Sequence, residues 1–141
     1  MSQHPELKNL TPPEAHDILQ HNPAALLIDI RTLMEYQFVG HPLDAIHIPW
    51  KEVPGWVEND SFIAEIQQLV DDARAKDATE IPIILMCRSG TRTIPAGNKL
   101  IDSGFTDVYH IGEGFEGDLD DQGHRGNING WRFHKLPWKQ T

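Results

Sequence analysis

A six-residue stretch around the only cysteine constrains the fold of this chain more than any other feature. It lies between an apolar run at residues 81–86 and a stretch of helical character at residues 93–103, and it reads Cys87-Arg88-Ser89-Gly90-Thr91-Arg92. The apolar run predicts a buried strand, and Gly104 marks the end of the predicted helix. The cysteine is therefore expected on a short loop between a strand end and a helix start. We call residues 87–92 the cysteine loop.

The cysteine loop places Cys87 where a negative charge is stabilised. The first N–H groups of a helix have no intrahelical partners, and the helix dipole adds partial positive charge there. Arg88 and Arg92 add formal charge, so the thiol is expected as the thiolate, its reactive form. A compact turn of successive N–H groups is also a cradle for an anion. A buried, inert cysteine is the alternative, and the glycine and the two arginines argue against it.

Composition excludes several classes of partner. The chain has 141 residues, enough for one domain with its own core, and a net charge of −9. Such a charge argues against nucleic acid and anionic membrane surfaces as partners. A single cysteine cannot form an internal disulfide, and no stretch approaches the roughly 20 apolar residues that span a bilayer. Residues 1–9 lack the apolar segment of a signal peptide, so the cytoplasm is the expected location.

Local signals predict two elements before the cysteine. Thr11 and Glu14 have the spacing of a capping box, which predicts the start of a helix. The apolar residues 24–31 predict a central parallel strand. Asp29 and Arg31 lie at its carboxyl end, the end at which open α/β sheets bind their ligands.

The remaining elements are predicted more coarsely. A helix is expected from about residue 61 to residue 76, and a last strand over residues 105–111. Residues 1–10 are interpreted as a polar arm, and residues 117–141 as an irregular tail packed on the domain. The aromatic side chains expected to anchor that tail are Trp131, Phe133 and Trp138. The role of residues 117–130 within the tail is left open.

Two features hint at metal sites, and both are set aside. His41 and His47 have no cysteine or acidic cluster beside them, and a lone histidine in a turn is usually a hydrogen-bonding structural residue. Residues 117–123 resemble a calcium loop only loosely, because the glutamate that closes such a loop is missing. We therefore expect neither a metal nor a cofactor.

Strands alternate with helices along the chain, which predicts an α/β fold: an open parallel sheet of about five strands with helices on both faces. In its motifs the chain resembles the rhodanese family of sulfurtransferases. The Cys-Arg-Ser-Gly-x-Arg loop after an apolar strand is typical of the active site in the single-domain members of that family. Further matches follow in the family's order: Asp29, Arg31, Gly40, His41 and a Gly-Trp pair at residues 130–131. The resemblance implies one rhodanese-like domain over residues 1–141.

The resemblance also implies a reaction. Cys87 would attack the outer sulfur of a small anionic donor, thiosulfate above all, and sulfite would leave a persulfide on the cysteine. A thiol or cyanide, or a partner protein, would then accept the sulfur. Catalysis is assigned to Cys87, and the residues expected to bind the substrate are Arg88, Ser89, Gly90, Thr91 and Arg92.

The resemblance gives the strand end a supporting role. Asp29 is expected to accept hydrogen bonds from the cysteine loop and to hold its shape, and Arg31 is expected to be structural. The alternative is a surface pair in which Arg31 binds Glu35, four residues later. Whether Arg31, Arg125 or His134 reaches the site is left open.

Two other functions remain open from the sequence. A phosphatase or arsenate reductase on a related fold is one, although cysteine phosphatases use a loop one residue longer, which wraps a phosphate. The other is a sulfur carrier in which Cys87 accepts sulfur from a partner protein and passes it on. The sequence does not separate the carrier from the enzyme.

Overall fold

A five-stranded parallel sheet forms the centre of the computed structural model, which describes residues 6–141. The elements in chain order are β1 (Lys8–Leu10), α1 (Pro12–His21), β2 (Leu26–Asp29), a π-helical turn (Glu35–Val39), β3 (His41–Pro42), β4 (Ile46–His47), β5 (Lys51–Glu52), β6 (Val57–Glu58), α2 (Phe62–Ala75), β7 (Ile83–Met86), α3 (Thr93–Asp102), β8 (Val108–Ile111) and β9 (Trp138–Lys139). The central sheet has the order β1-β8-β7-β2-β4. Two small antiparallel pairs, β3 with β9 and β5 with β6, lie outside it.

The central strands are buried on both faces, as the apolar runs predict for a parallel sheet. Alternate residues of β7 point to opposite sides: Ile83 and Leu85 join one apolar cluster, and Ile84 and Met86 join the other. The first cluster contains side chains of α2 and α3, and the second contains Ala15 of α1. The predicted α/β fold with helices on both faces is therefore confirmed.

Helix boundaries follow the local signals closely. The Thr11 hydroxyl accepts the N–H of Glu14, and the Glu14 carboxylate accepts the N–H of Thr11, so the capping box that starts α1 is confirmed. Helix α3 starts at Thr93 and ends one residue before Ser103, and Gly104 follows with a φ of 104°. No helix within residues 6–141 is long and apolar enough to cross a membrane.

The prediction that residues 1–10 form a polar arm is wrong in part. Residues 8–10 form β1, an edge strand that pairs in parallel with β8. The Asn9 side chain accepts the N–H of Gly112, which ties this strand to the turn after β8. Residues 1–5 of the predicted arm lie outside the described residues.

Trp131 is the most deeply buried aromatic side chain of the tail, and the Trp138 ring packs edge-on against Phe115. Trp131 is buried with the second apolar cluster, and its indole N–H donates to the carbonyl of Pro137. Phe133 and Trp138 remain 43% and 39% exposed, so they anchor the tail far less than expected. Trp138 still contributes to β9, which closes the tail onto β3.

Candidate active site

The cysteine loop connects β7 to α3 at the carboxyl edge of the central sheet, where the sequence predicts it. A cleft of about 630 Å³ opens there. It is lined by Thr32, Glu35, Val39, Val53, Trp56, Cys87, Arg88, Ser89, Thr91, Arg92 and Glu116. A larger groove of about 710 Å³ lies at the amino ends of β2 and β7, away from the cysteine. The candidate site is the smaller cleft, because it contains the nucleophilic side chain.

Cys87 forms part of the buried floor of this cleft. The residue is 1% exposed and also contacts the first apolar cluster. The N–H of Gly90 donates to Sγ over 3.2 Å. The sulfur is thus more enclosed than the sequence led us to expect, but it has a main-chain donor on it. A backbone N–H aimed at a sulfur stabilises negative charge there without any reorganisation.

The shape of the loop depends on glycine at two positions. Gly90 has a φ of 90°, and a Cβ there would lie 2.0 Å from the carbonyl oxygen of Gly112. Gly114 has a φ of 73°, and its Cβ would lie 2.3 Å from the carbonyl oxygen of Arg88. Both positions need a left-handed conformation and a close backbone approach, which only glycine allows without strain.

The segment after β8 holds the loop from the opposite side. The N–H of Phe115 donates to the Cys87 carbonyl over 2.9 Å, and the N–H groups of Glu116 and Gly117 donate to the Arg88 carbonyl over 3.0 and 3.2 Å. These bonds engage the first two carbonyls of the loop. The loop is therefore fixed by main-chain contacts with residues 112–117 rather than by side chains of β2.

Arg92 is held by a partner that sequence reasoning missed. Its two terminal nitrogens donate to the two carboxylate oxygens of Glu35, each over 2.8 Å, and its guanidinium lies 5.3 Å from the centroid of the Trp56 ring. A bidentate pair of this kind is strong and geometrically specific. The alternative of a surface pair between Arg31 and Glu35 is therefore wrong, and Arg92 enters the cleft with its charge balanced.

The pair sets the charge state of Glu35. Burial raises the pKa of this carboxyl, but the hydrogen bonds and charge of Arg92, with hydrogen bonds from Thr32, outweigh burial and lower the pKa to about 2. Burial likewise lowers the pKa of Arg92, and Glu35 more than compensates, so that the pKa of the guanidinium is raised. Both groups are charged throughout the physiological range.

We expect Glu35→Gln to remove an acid-sensitive part of the stability. The Glu35 pKa is about 2 in the folded protein against an ordinary value of 4.5, so the pair stabilises above about pH 5, and this contribution is lost as the pH falls toward 2. At about 1.4 kcal/mol per pH unit the full contribution is about 3 kcal/mol. Urea unfolding at pH 7 and pH 3 measures the part that is lost by pH 3, about 2 kcal/mol, because the carboxyl of the folded protein is still mostly ionised there.

The informative result is the difference between the two pH values. The wild-type protein should lose more stability than Glu35→Gln between pH 7 and pH 3. Glu80→Gln is a control at an exposed carboxylate between α2 and β7 and should follow the wild type. Equal losses in wild type and Glu35→Gln would mean that the Arg92 pair does not carry this contribution.

Asp29 and Arg31 form a buried ion pair. The sequence predicts their position at the end of β2 but not that they bind each other. Asp29 accepts hydrogen bonds from the Arg31 Nε, Nη2 and main-chain N–H over 2.9, 2.7 and 3.1 Å, and both side chains are fully buried. The expected bonds from the cysteine loop to Asp29 are therefore wrong, since Arg31 occupies the carboxylate. Arg31 also donates to the Gly40 carbonyl and lies 4.5 Å from the centroid of the Phe115 ring.

The support that this pair gives to the loop is indirect. Phe115 packs against Arg31 and donates its N–H to the Cys87 carbonyl. Neither Asp29 nor Arg31 lines the cleft. The structural role predicted for Arg31 thus has a physical basis, and its side chain does not reach the site.

The other residues left open by the sequence are engaged elsewhere. Arg125 donates to the Gly117 carbonyl over 2.7 Å, and His134 pairs with Glu113 over 2.9 Å. His41 and His47 both stack on the Tyr36 ring, with centroid distances of 3.7 and 4.5 Å. None of these four side chains, Arg125, His134, His41 and His47, lines the cleft.

Four residues at or behind the cleft had no signal in the sequence. Glu35 and Glu116 contribute carboxylates, and Trp56 contributes an aromatic wall from the turn between β5 and β6. His110 lies behind the loop, in hydrogen-bond contact with Thr93. Only their positions in the fold reveal them, because each is distant from Cys87 along the chain.

Taken together, the fold and the site define an α/β protein with a cysteine in the loop between a strand and a helix at the carboxyl edge of a parallel sheet. The family profile described as a rhodanese-like domain matches residues 11–121. The chain belongs to the rhodanese-like domain family, as its cysteine loop predicts.

Relatives and solved structures agree with this family. The crystal structure of Rv0390 from M. tuberculosis is similar with a TM-score of 0.78 and 36% identity, covering 95% of this chain and 98% of that one. An uncharacterised protein of Rickettsia conorii is 32% identical over 136 residues, covering 94% of this chain and 98% of the relative. The thiosulfate sulfurtransferase GlpE of Haemophilus influenzae is 28% identical over 110 residues, covering 78% of this chain and 86% of the relative.

Proposed function

We propose that this protein is a sulfurtransferase that carries a sulfane sulfur as a persulfide on Cys87. The sulfur comes from a small anionic donor, with thiosulfate as the leading candidate, and goes to a thiol or cyanide. The observation that carries the proposal is the N–H of Gly90 on the Cys87 sulfur at the floor of an open cleft. Membership of the rhodanese-like family and the similarity to a thiosulfate sulfurtransferase support it.

The chemistry divides into two displacements at sulfur. The Cys87 thiolate attacks the outer sulfur of thiosulfate, a new S–S bond forms, and sulfite leaves with the electron pair of the old one. The acceptor then attacks the terminal sulfur of the persulfide, and the Cys87 thiolate leaves. Main-chain N–H groups of residues 88–92 would stabilise the negative terminal sulfur between the two steps.

Arg88 is best placed to attract the donor. Its side chain is exposed and lines the cleft. Arg92 lines the same cleft with its guanidinium already bound to Glu35, so its contribution to an incoming anion is reduced. The binding of the donor anion therefore rests mainly on Arg88 and on the N–H groups of the loop.

The experiment is direct. The protein is mixed with thiosulfate, separated from it, and weighed intact by mass spectrometry before and after cyanide is added. We expect a gain of one sulfur atom that cyanide removes as thiocyanate. A protein that keeps its mass with thiosulfate, with polysulfide and with an organic persulfide contradicts the proposal.

A sulfur carrier that acts with a partner protein is the second candidate. It is favoured by the apolar rim of the cleft, where Val53 and Trp56 are each 44% exposed. Exposed apolar groups beside a site are typical of a surface that another protein covers. In the same experiment, a mass gain with an organic persulfide but none with thiosulfate would favour the carrier.

A further inference from the structure

A buried series of polar side chains in contact with one another runs from Cys87 into the central sheet. Thr93 is the first residue of α3, and its Oγ1 lies 3.9 Å from the Cys87 Sγ and 2.7 Å from the Nδ1 of His110 in β8. All three residues are buried, with His110 the most exposed at 9%. Nothing in the reaction proposed above uses Thr93 or His110.

The number of hydrogen atoms that these polar groups can donate decides the direction of each hydrogen bond. The Thr93 hydroxyl has one hydrogen to donate, and the Gly90 carbonyl lies 3.2 Å away as an acceptor. If Nδ1 of His110 lacked a hydrogen, it would compete with that carbonyl for the same hydroxyl hydrogen. One of the two acceptors would then lose its bond with Thr93, and an unsatisfied buried acceptor is costly. A hydrogen on Nδ1 removes the conflict, because His110 then donates to Thr93 and Thr93 donates to Gly90.

We propose that His110 is a positioning residue for Cys87. Its Nδ1–H donates to Thr93 and keeps the hydroxyl hydrogen of Thr93 on the side of the cysteine loop. That hydrogen is directed to the Gly90 carbonyl when Cys87 is a thiol. It turns to the sulfur when Cys87 is a thiolate, because a hydrogen bond to a charged acceptor is stronger than the neutral one that the carbonyl then loses. Two donors, the Gly90 N–H and the Thr93 hydroxyl, then share the negative charge. The proposal deepens the proposed function, but it concerns the reactivity of the thiol and is testable without sulfur transfer.

The surroundings of His110 keep it neutral. In sheet register its neighbours are Asn9 in β1 and Leu85 in β7, neither of which carries a charge. From α3 its polar contact is Thr93, and the titratable group that it reaches through Thr93 is Cys87. Burial lowers the pKa of His110 below its ordinary value of 6.5. A neutral ring at neutral pH has one N–H, which the hydrogen count assigns to Nδ1.

The test is the pH profile of thiol alkylation. The rate of reaction of Cys87 with iodoacetamide is measured from pH 5 to 10 in the full-length protein, with no sulfur donor present. His110→Phe and Thr93→Val should each move the midpoint upward by about half a pH unit to one unit, so that rates below the midpoint fall about three- to tenfold. Thr93→Ser keeps the hydroxyl and should restore most of the wild-type profile.

His21→Phe provides a matched control, because it makes the same change at an exposed histidine in α1. Its profile should coincide with that of the wild type. An unchanged midpoint in folded His110→Phe overturns the proposal. So does a Thr93→Ser profile that shifts as far as that of Thr93→Val.

A second measurement needs no variant and covers the case in which His110→Phe does not fold. The nitrogen chemical shifts of the His110 ring in ¹⁵N-labelled protein identify which nitrogen bears the hydrogen. A protonated Nδ1 is the expected result, and a bare Nδ1 overturns the proposal. If the alkylation midpoints shift as expected but no donor forms a persulfide, the sulfurtransferase proposal fails and the role of His110 stands.

Discussion

Cys87→Ser is expected to abolish both the sulfur adduct and the transfer of sulfur to cyanide. A serine hydroxyl is not ionised near neutral pH, and its oxygen does not form a persulfide. Because Cys87 is the only cysteine of the chain, no second thiol can replace it. Activity should fall to the uncatalysed background in a thiocyanate assay, and the intact mass should not change with thiosulfate.

The loss has to be separated from damage to the fold. Serine is close in size to cysteine and can still accept the N–H of Gly90, so urea unfolding should give nearly the wild-type midpoint. Ser103→Ala, just beyond the far end of α3, is the matched control and should retain full transfer. Transfer that persists in folded Cys87→Ser would place the chemistry elsewhere in the molecule.

The parts of the site that the sequence predicts are those set by neighbouring residues. An apolar run followed by Cys87, a glycine and a helix start is a local pattern, and β7, the loop and α3 follow it. The capping box at Thr11 is equally local. Alternation of such strands and helices is enough to predict the class of fold.

The polar contacts of the cleft could not be predicted, because they join residues far apart in the chain. Glu35 is four residues from Arg31, which favours a helical pair, yet it binds Arg92, 57 residues away. Arg31 turns inward to Asp29 instead. Deciding between two arginines for one carboxylate requires the positions of β2 and the cysteine loop relative to each other.

The secondary structure and burial of short segments with mixed polarity could not be predicted from the sequence either. Residues 8–10 read Lys-Asn-Leu and have no apolar run, but they form β1 because β8 offers an open edge. An apolar side chain in a helix that packs on a sheet favours the core, yet Ile94 in the first turn of α3 is 49% exposed. In both cases tertiary context overrides local preference.

Arg31→Leu is expected to produce the largest loss of stability among single changes outside the apolar core. The substitution leaves the Asp29 carboxylate fully buried without its partner, and breaking a buried pair in this way typically costs about 3 to 5 kcal/mol. It also removes the bond to the Gly40 carbonyl and the contact with Phe115. Urea unfolding followed by tryptophan fluorescence measures the free energy of unfolding.

A double variant shows that the cost comes from the stranded charge rather than from lost packing. Asn in place of Asp29 removes the charge, so Asp29→Asn with Arg31→Leu should be more stable than Arg31→Leu alone. A loss below about 1 kcal/mol in Arg31→Leu would mean that the pair contributes no more than an exposed one. Arg31→Lys keeps the charge but loses the planar two-point contact, so its stability should fall between those of Arg31→Leu and wild type. If the pair braces the loop through Phe115, the alkylation rate of Cys87 should change in the same order as stability.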